Sequence, residues 1–321
     1  MTPSPTPAAS SAPRSLILLG CGYLGAALAK SSLAAGWRVS ALTRNRDRAA
    51  ELRALGLAAV IVADLADDSW HASLDPANAA IVNTVSPSAR ESSGYEHSFI
   101  AGTRSIIRWL EKSVAASHAP ARDLLFTSAT SVYPHTDGRW VDESTPLDPS
   151  ALSPAASALR SGEDFFLNLP ATLARRAWVL RLGGIYGPGR HYLLDALRSG
   201  QRIFPGRGDF WVNLIHRDDI LAAIRLALAA PENLPGGLFN AVDDTPVLKQ
   251  DLLAGLAHLL QIDPATVRCD PATPSDRARR RENLHGITPN RRVANLRLKQ
   301  LEWSLSYPSF EAGFRECLTH A

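Results

Sequence analysis

Three glycines, Gly20, Gly22 and Gly25, stand at G-x-G-x-x-G spacing directly after the apolar run Ser15–Leu19. Between a strand and a helix this spacing serves dinucleotide binding. The first glycine makes a tight bend, the second lets backbone approach a pyrophosphate, and the third lets helix pack close to strand. The helix that follows would turn its free N–H groups and positive dipole end toward the phosphates. The turn supplies Gly20, Cys21, Gly22, Tyr23, Leu24 and Gly25 as candidate cofactor-binding residues. A second group lies at later strand ends. An acidic residue about 20 positions past the turn would hold a ribose 2′-OH and favour NAD. The chain instead reads Thr43-Arg44-Asn45-Arg46 there. The guanidinium forks of Arg44 and Arg46 suit a 2′-phosphate, which favours NADP and leaves NAD open; two arginines solvating a loop is the plain alternative. Asp64 is placed either to reach an adenine amino group or to cap a helix. Thr84 completes the candidate cofactor set.

These residues need a scaffold that brings several strand ends to one edge. Apolar runs at Leu16–Leu19, Arg38–Leu42, Ala59–Val62, Ala80–Val85, Asp123–Thr127 and Trp178–Leu182 read as strands. Helical stretches such as Arg48–Leu55 and Phe99–Ser113 lie between them, with an alanine-rich helix over 26–35 and Gly36 at its stop. The alternation predicts an α/β fold, a doubly wound parallel Rossmann sheet with a smaller C-terminal substrate lobe. Residues 15–182 form the dinucleotide-binding domain in this reading. Residues 183–321, where Gly and Pro cluster at 183–189 and 204–208, form the substrate lobe with segments returning to the main sheet. Residues 1–14, rich in Pro, Ser and Ala, read as a disordered tail without the apolar core of a signal peptide.

Bulk properties narrow the function classes. With 321 residues, 45% hydrophobic and 20% charged, the chain has an ordinary globular composition and length for one large or two unequal lobes. A net charge of +3 without an extended basic stretch argues against nucleic-acid binding. The densest basic cluster, Arg277 to Arg281, is flanked by Asp276 and Glu282 and reads as a solvated face, with phosphate binding the alternative. Cys21, Cys269 and Cys317 are far apart, and the nine histidines show no ligand spacing, so neither a disulfide framework nor a metal site is expected. No apolar run is long enough for a bilayer. A reducing cytoplasm and a small-molecule substrate fit these features.

Taken together the chain resembles the extended short-chain dehydrogenase/reductase family, also called the NAD-dependent epimerase/dehydratase family, from about Leu16 to near the C-terminus. The resemblance rests on the glycine turn and on the segments 127–134 (TSATSVYP), 180–189 (LRLGGIYGPG), 213–220 (NLIHRDDI) and 239–244 (FNAVDD). G-x-G-x-x-G in place of the family's usual G-x-x-G-x-x-G points to an atypical bacterial branch. The resemblance implies a Tyr and a Lys four residues apart on one helix and a Ser or Thr at the preceding strand end. There the lysine lowers the tyrosine pKa, and the phenolate takes a hydroxyl proton as hydride leaves. Aligned on Ser153-Pro154 and Glu163, the tyrosine position is Ala155 and the lysine position Leu159; counted back from Tyr133, the serine position is Ala129. No Tyr or Lys occurs in 134–175, so a shifted register cannot restore the pair.

Ser128, Tyr133 and His135 are the substitute catalytic candidates: Ser128, or alternatively Ser131, to hold a substrate oxygen, and the tyrosine or histidine as acid or base. Structural roles stand beside each, local hydrogen bonding for either serine and packing for the tyrosine. Arg181, Tyr186, His216 and Arg291 are the substrate-side candidates. Two functions follow. One is an epimerase/dehydratase- or reductase-like enzyme on a small polar substrate, nucleotide sugars included. The other is a non-catalytic NADP-binding protein that regulates or senses redox state. The resemblance also implies a four-helix homodimer contact in many members.

Overall fold

The computed structural model describes residues 14–89, 91–273 and 286–319. The predicted tail, apart from Arg14, and the basic cluster at 277–281 lie outside the described residues.

A seven-stranded parallel sheet forms the centre: β1 (Ser15–Leu19), β2 (Arg38–Thr43), β3 (Ala59–Val62), β4 (Ala80–Asn83), β5 (Ala121–Ala129), β6 (Ala174–Leu182) and β7 (Gly237–Ala241). Its order is β7-β6-β5-β4-β1-β2-β3, with every pairing parallel. Both faces are covered, which is why β1, β3 and β4 and the middles of β5 and β6 carry continuous apolar runs rather than alternating ones. Within β1, Leu16 and Leu18 pack on one face with Leu28, Val39 and Ile224, while Ile17 and Leu19 pack on the other with Ile106 and Phe126. The six strands expected from sequence all form. β7 comes from the second half of the chain and pairs with β6 at the sheet edge.

The principal helices are α1 (Tyr23–Ala34), α2 (Arg46–Ala54), α3 (Gly102–Ser117), α4 (Pro154–Leu167), α5 (Arg217–Ala229), α6 (Lys249–Leu259) and α7 (Phe310–Thr319). α1 ends as its sequence suggests. Gly36 adopts φ +78 and donates to Leu33 O, the left-handed stop that glycine makes at low cost. The expected helix 99–113 begins later, at Gly102, behind a π-helical turn at His97–Ala101.

Beyond β6 the chain builds short two-stranded ladders, Gly184–Tyr186 with Leu214–His216 and Ile203–Pro205 with Arg268–Asp270 among them. This part has its own apolar cluster, with Leu194, Phe204, Leu253, Leu256, Phe310 and Phe314 buried together. Between β4 and β1 the strand order reverses direction, and that switch point is where open α/β sheets leave a crevice for ligands.

Candidate functional site

The glycine turn lies at this switch point, and each glycine meets a different demand. Gly20 sits at φ +87, and a Cβ there would come within 2.9 Å of the Val85 backbone. A Cβ on Gly25 would lie 2.3 Å from Gly20 O and 2.8 Å from Thr84 Oγ1. Thr84 Oγ1 also donates to Gly20 O at 2.5 Å, tying the ends of β1 and β4 together. Gly22, by contrast, has no heavy atom within 4 Å of its Cβ position. It is the N-cap of α1, with no side-chain cap bond and no acidic residue in the first turn. Open space facing uncapped N–H groups is what a pyrophosphate requires, so the residues present fit a dinucleotide.

The adjoining cleft has a volume of about 290 Å³ and is lined by Gly20, Gly22, Thr43, Arg44, Arg48 and Asp64, among others. Cys21 also lines it, though burial pushes the thiol up to about 12, and so the sulfur is an inert filler rather than a nucleophile. Leu24 is buried in the core beneath the turn. Tyr23 points the other way: its hydroxyl donates to Pro188 O at 3.0 Å, and the Arg190 and Arg217 guanidiniums lie 5.3 and 5.5 Å from its ring. Tyr23 therefore joins α1 to the second lobe.

Along the same cleft, Arg44 Nη1 lies 3.4 Å from Asp64 Oδ2. Asp64 also accepts from Ala66 N at 2.9 Å and from His97 Nε2 at 2.9 Å. These partners hold its carboxyl below the usual carboxylate range against the opposing effect of burial. Asp64 caps no helix. Thr43 Oγ1 accepts from Asn45 N, and Asn45 Oδ1 in turn caps α2 through Arg48 N at 2.9 Å. Arg46 opens α2 and is exposed, outside the lining of the cleft. Arg48 lines it instead, paired with Glu51. Sequence reading missed Arg48 and His97. The cap at Asn45 could have revealed the first, since it sets the helical phase that turns Arg48 inward; no local signal marks the second.

The catalytic positions are apolar in space as in sequence. Leu159 is buried on α4, one turn from Ala155, where nothing can exchange a proton. Beneath them runs a buried polar network. Ser128 Oγ donates to Glu163 Oε1 at 2.6 Å, and Arg181 donates through Nε at 2.9 Å and Nη2 at 2.6 Å to the same carboxylate. The Arg181 guanidinium sits 4.8 Å from the Tyr133 ring, whose hydroxyl bonds Asp142 O and Asn240 Oδ1. Ser128, Tyr133 and Arg181 are thus corrected from cleft residues to buried supports of the sheet, because Glu163 and Asn240 satisfy them internally. His135 differs. It is half-buried, its Nδ1 has no hydrogen-bond partner, and burial lowers its pKa, keeping the ring neutral.

The other substrate-side candidates separate likewise. Tyr186 is buried, stacked on Phe314 at 4.5 Å, and burial raises its phenol far above the usual range. His216 is fully buried, and its Nδ1 accepts from Asp218 N at 3.3 Å to cap α5. That bond leaves the ring proton on Nε2, facing Glu316 Oε2 at 3.5 Å. His216, Glu316 and Cys317 bring potential ligand atoms within 4.8 Å of one another, but Nε2 could serve as a ligand only by giving up the proton that the Nδ1 cap bond places on it. Both residues are corrected to packing and capping roles. Arg291 remains part-buried beside the strand end, donating to Thr130 O at 2.8 Å. No described helix is long and apolar enough to cross a membrane.

The family model described as "NAD dependent epimerase/dehydratase family" matches residues 16–241. Protein YeeZ of Escherichia coli (strain K12) is 29% identical over 262 residues, covering 79% of this chain and 87% of YeeZ. A "3-diazoavenalumate denitrifying reductase" of a Streptomyces species is 29% identical over 311 residues, covering 94% of this chain and 98% of the reductase. Among solved structures, MoeE5 in complex with UDP-glucuronic acid and NAD shares the fold, with a TM-score of 0.76 and 18% identity over 95% of this chain and 98% of MoeE5. With the glycine turn, the sheet order and the family match in register, the chain belongs to the NAD-dependent epimerase/dehydratase family, within the extended short-chain dehydrogenase/reductases.

Proposed function

We propose that the chain is an NADP-linked oxidoreductase of the reductase type, acting on a small polar substrate without a tyrosine–lysine pair. One observation carries this reading: the dinucleotide turn is intact and open at Gly22, while the proton-transfer positions hold Ala129, Ala155 and Leu159. When bound, the nicotinamide cofactor would supply or accept the hydride. The chain's own part is to hold and orient. The α1 N-terminus takes the pyrophosphate, and Arg44 and Arg48 take a ribose 2′-phosphate by charge-assisted bonds.

Epimerases and alcohol dehydrogenases must move a hydroxyl proton, which alanine and leucine cannot do. A reduction whose acceptor draws its proton from solvent, directly or relayed through a histidine that takes one proton from water as it passes another on, escapes the need for that pair. His135 is the remaining candidate for that proton. The Streptomyces relative, aligned along nearly its whole length, carries a reductase name and supports this choice over epimerisation. MoeE5, bound to a nucleotide sugar, supports a polar substrate and keeps that class among the candidates. Three separated free cysteines are in keeping with a cytoplasmic setting, and a homodimer is part of the same proposal.

The apolar dyad positions also favour a second reading, a non-catalytic NADP-binding regulator or redox sensor. Calorimetric titration with NADPH and NADH, followed by loss of nicotinamide absorbance with a panel of electrophilic acceptors, separates the two. Tight NADPH binding with turnover that falls in His135→Gln supports the reductase. Binding without turnover on any acceptor supports the sensor, and failure to bind either nucleotide removes both.

A further inference from the structure

Ser98, from the π-helical turn His97–Ala101, lines the same cleft as Asp64. A π-turn re-aims side chains relative to an α-helix, and such turns recur at functional sites. Here it sends two successive side chains to two different loops. Ser98 Oγ accepts from Ser88 N at 2.9 Å and donates to Ser86 O at 3.3 Å, fixing the segment after β4. His97 Nε2 lies 2.9 Å from Asp64 Oδ1 and fixes the segment after β3. A carboxylate only accepts, so the imidazole proton is on Nε2.

The two oxygens of Asp64 are therefore unequal. Oδ1 already accepts from both Ala66 N and His97 at 2.9 Å. Oδ2 has a 3.4 Å contact with the half-exposed Arg44, long enough to yield to a better donor. Asp64 lines the cleft, so the oxygen with acceptor capacity to spare belongs to a side chain held from behind. The exocyclic amino group of a 6-aminopurine is a donor for such an oxygen. The 6-oxo group of hypoxanthine is an acceptor and would set lone pairs against lone pairs.

We propose that His97 is a positioning residue for purine selection: by holding Asp64 Oδ1 from the π-turn, it aims Oδ2 at the purine 6-position and makes the cleft prefer 6-amino over 6-oxo purine. This inference rests on the dinucleotide reading above. It adds a residue that the glycine turn does not predict.

The test compares NADP with its hypoxanthine analogue, both titrated calorimetrically into the full-length wild-type chain, His97→Ala and His97→Gln. A net hydrogen bond of roughly 0.5–1.5 kcal/mol corresponds to about a two- to twelvefold preference for the adenine form in the wild type. His97→Ala is expected to bring that ratio to near unity, and His97→Gln, whose amide can still donate to Asp64, to restore part of it. Because 46% of the His97 side chain is exposed, neither substitution should disturb folding. An unchanged ratio in His97→Ala overturns the inference, and so does an equal loss of affinity for both nucleotides, which is what a merely structural role would produce. In both of those cases wild-type binding leaves the dinucleotide reading standing. If the wild type binds neither nucleotide, that reading falls and takes the inference with it.

Discussion

Replacing Glu163 by alanine should destabilise the protein severely, and the reason lies in what it leaves behind. Glu163 and Arg181 are 0% and 1% exposed and joined by two bonds of 2.9 and 2.6 Å. Ser128 adds a third bond to the carboxylate. Without that carboxylate, the guanidinium stays buried against the Tyr133 ring with its charge uncompensated. Breaking such a pair typically costs about 3–5 kcal/mol, a large share of a total stability of about 5–15 kcal/mol. Removing both charges together, as Glu163→Leu with Arg181→Met, should recover most of the loss, because apolar replacement of a buried pair is often neutral. Ser128→Ala, which deletes one donor to a charged acceptor, should cost about 1.5–3 kcal/mol. The measurement is urea unfolding followed by tryptophan fluorescence, with NADPH affinity taken in parallel. A loss below about 1 kcal/mol in Glu163→Ala would refute the buried-support account of Arg181. A double variant that stays folded and binds NADPH but loses turnover would return Arg181 to the cleft.

Gly22 and Gly25 should respond oppositely to alanine. Gly22→Ala, entering open space, should leave unfolding unchanged and weaken NADPH binding at least about tenfold by intruding where the pyrophosphate approaches; Gly25→Ala, 2.3 Å from a backbone oxygen, should lose stability as well. Paired thermal melts and titrations would show it, and identical behaviour of the two variants would contradict the assigned roles. Arg44→Ala and Arg48→Ala should each weaken NADPH by about fivefold or less, as expected of exposed ion pairs, and leave NADH unchanged; an equal effect on both nucleotides would exclude the 2′-phosphate assignment. Asp243, 2% exposed with Oδ2 unpartnered, has its carboxyl pKa raised well above the ordinary value, chiefly by burial. A folded pKa above the unfolded one means that the native state holds the extra proton. Its contribution is therefore present below the unfolded value near 3.9 and is lost as pH rises toward the folded value. Asp243→Asn should accordingly be the more stable protein at neutral pH and show a flatter stability profile above about pH 4; parallel profiles in denaturant titrations across pH would argue against it.

What the sequence reveals divides along a physical line. The glycine turn is legible residue by residue because each glycine answers a constraint set within the turn or by the strand beside it: a positive φ at Gly20, open space at Gly22, a close approach at Gly25. The strands are legible because a sheet covered on both faces demands continuous apolar runs. The arginines and aromatics of the second half are not, since their roles are fixed by partners that no local pattern announces. Arg181 looks like a cleft residue at a strand end until Glu163, 18 positions earlier on α4, is seen to hold it. Tyr186 carries the look of a family signature, yet its ring is set by Phe314, and Arg291 meets Thr130 across 161 positions. The same line explains why the missing dyad is plain from the residue order alone. A short spacing on one helix is local information, so alanine at 155 and leucine at 159 declare the loss by themselves, whereas whether another group has taken over the proton depends on long-range neighbours. Among the substitutes Ser128 and Tyr133 are bound internally, and the long-range contacts leave His135 as the acid or base on which that question now turns.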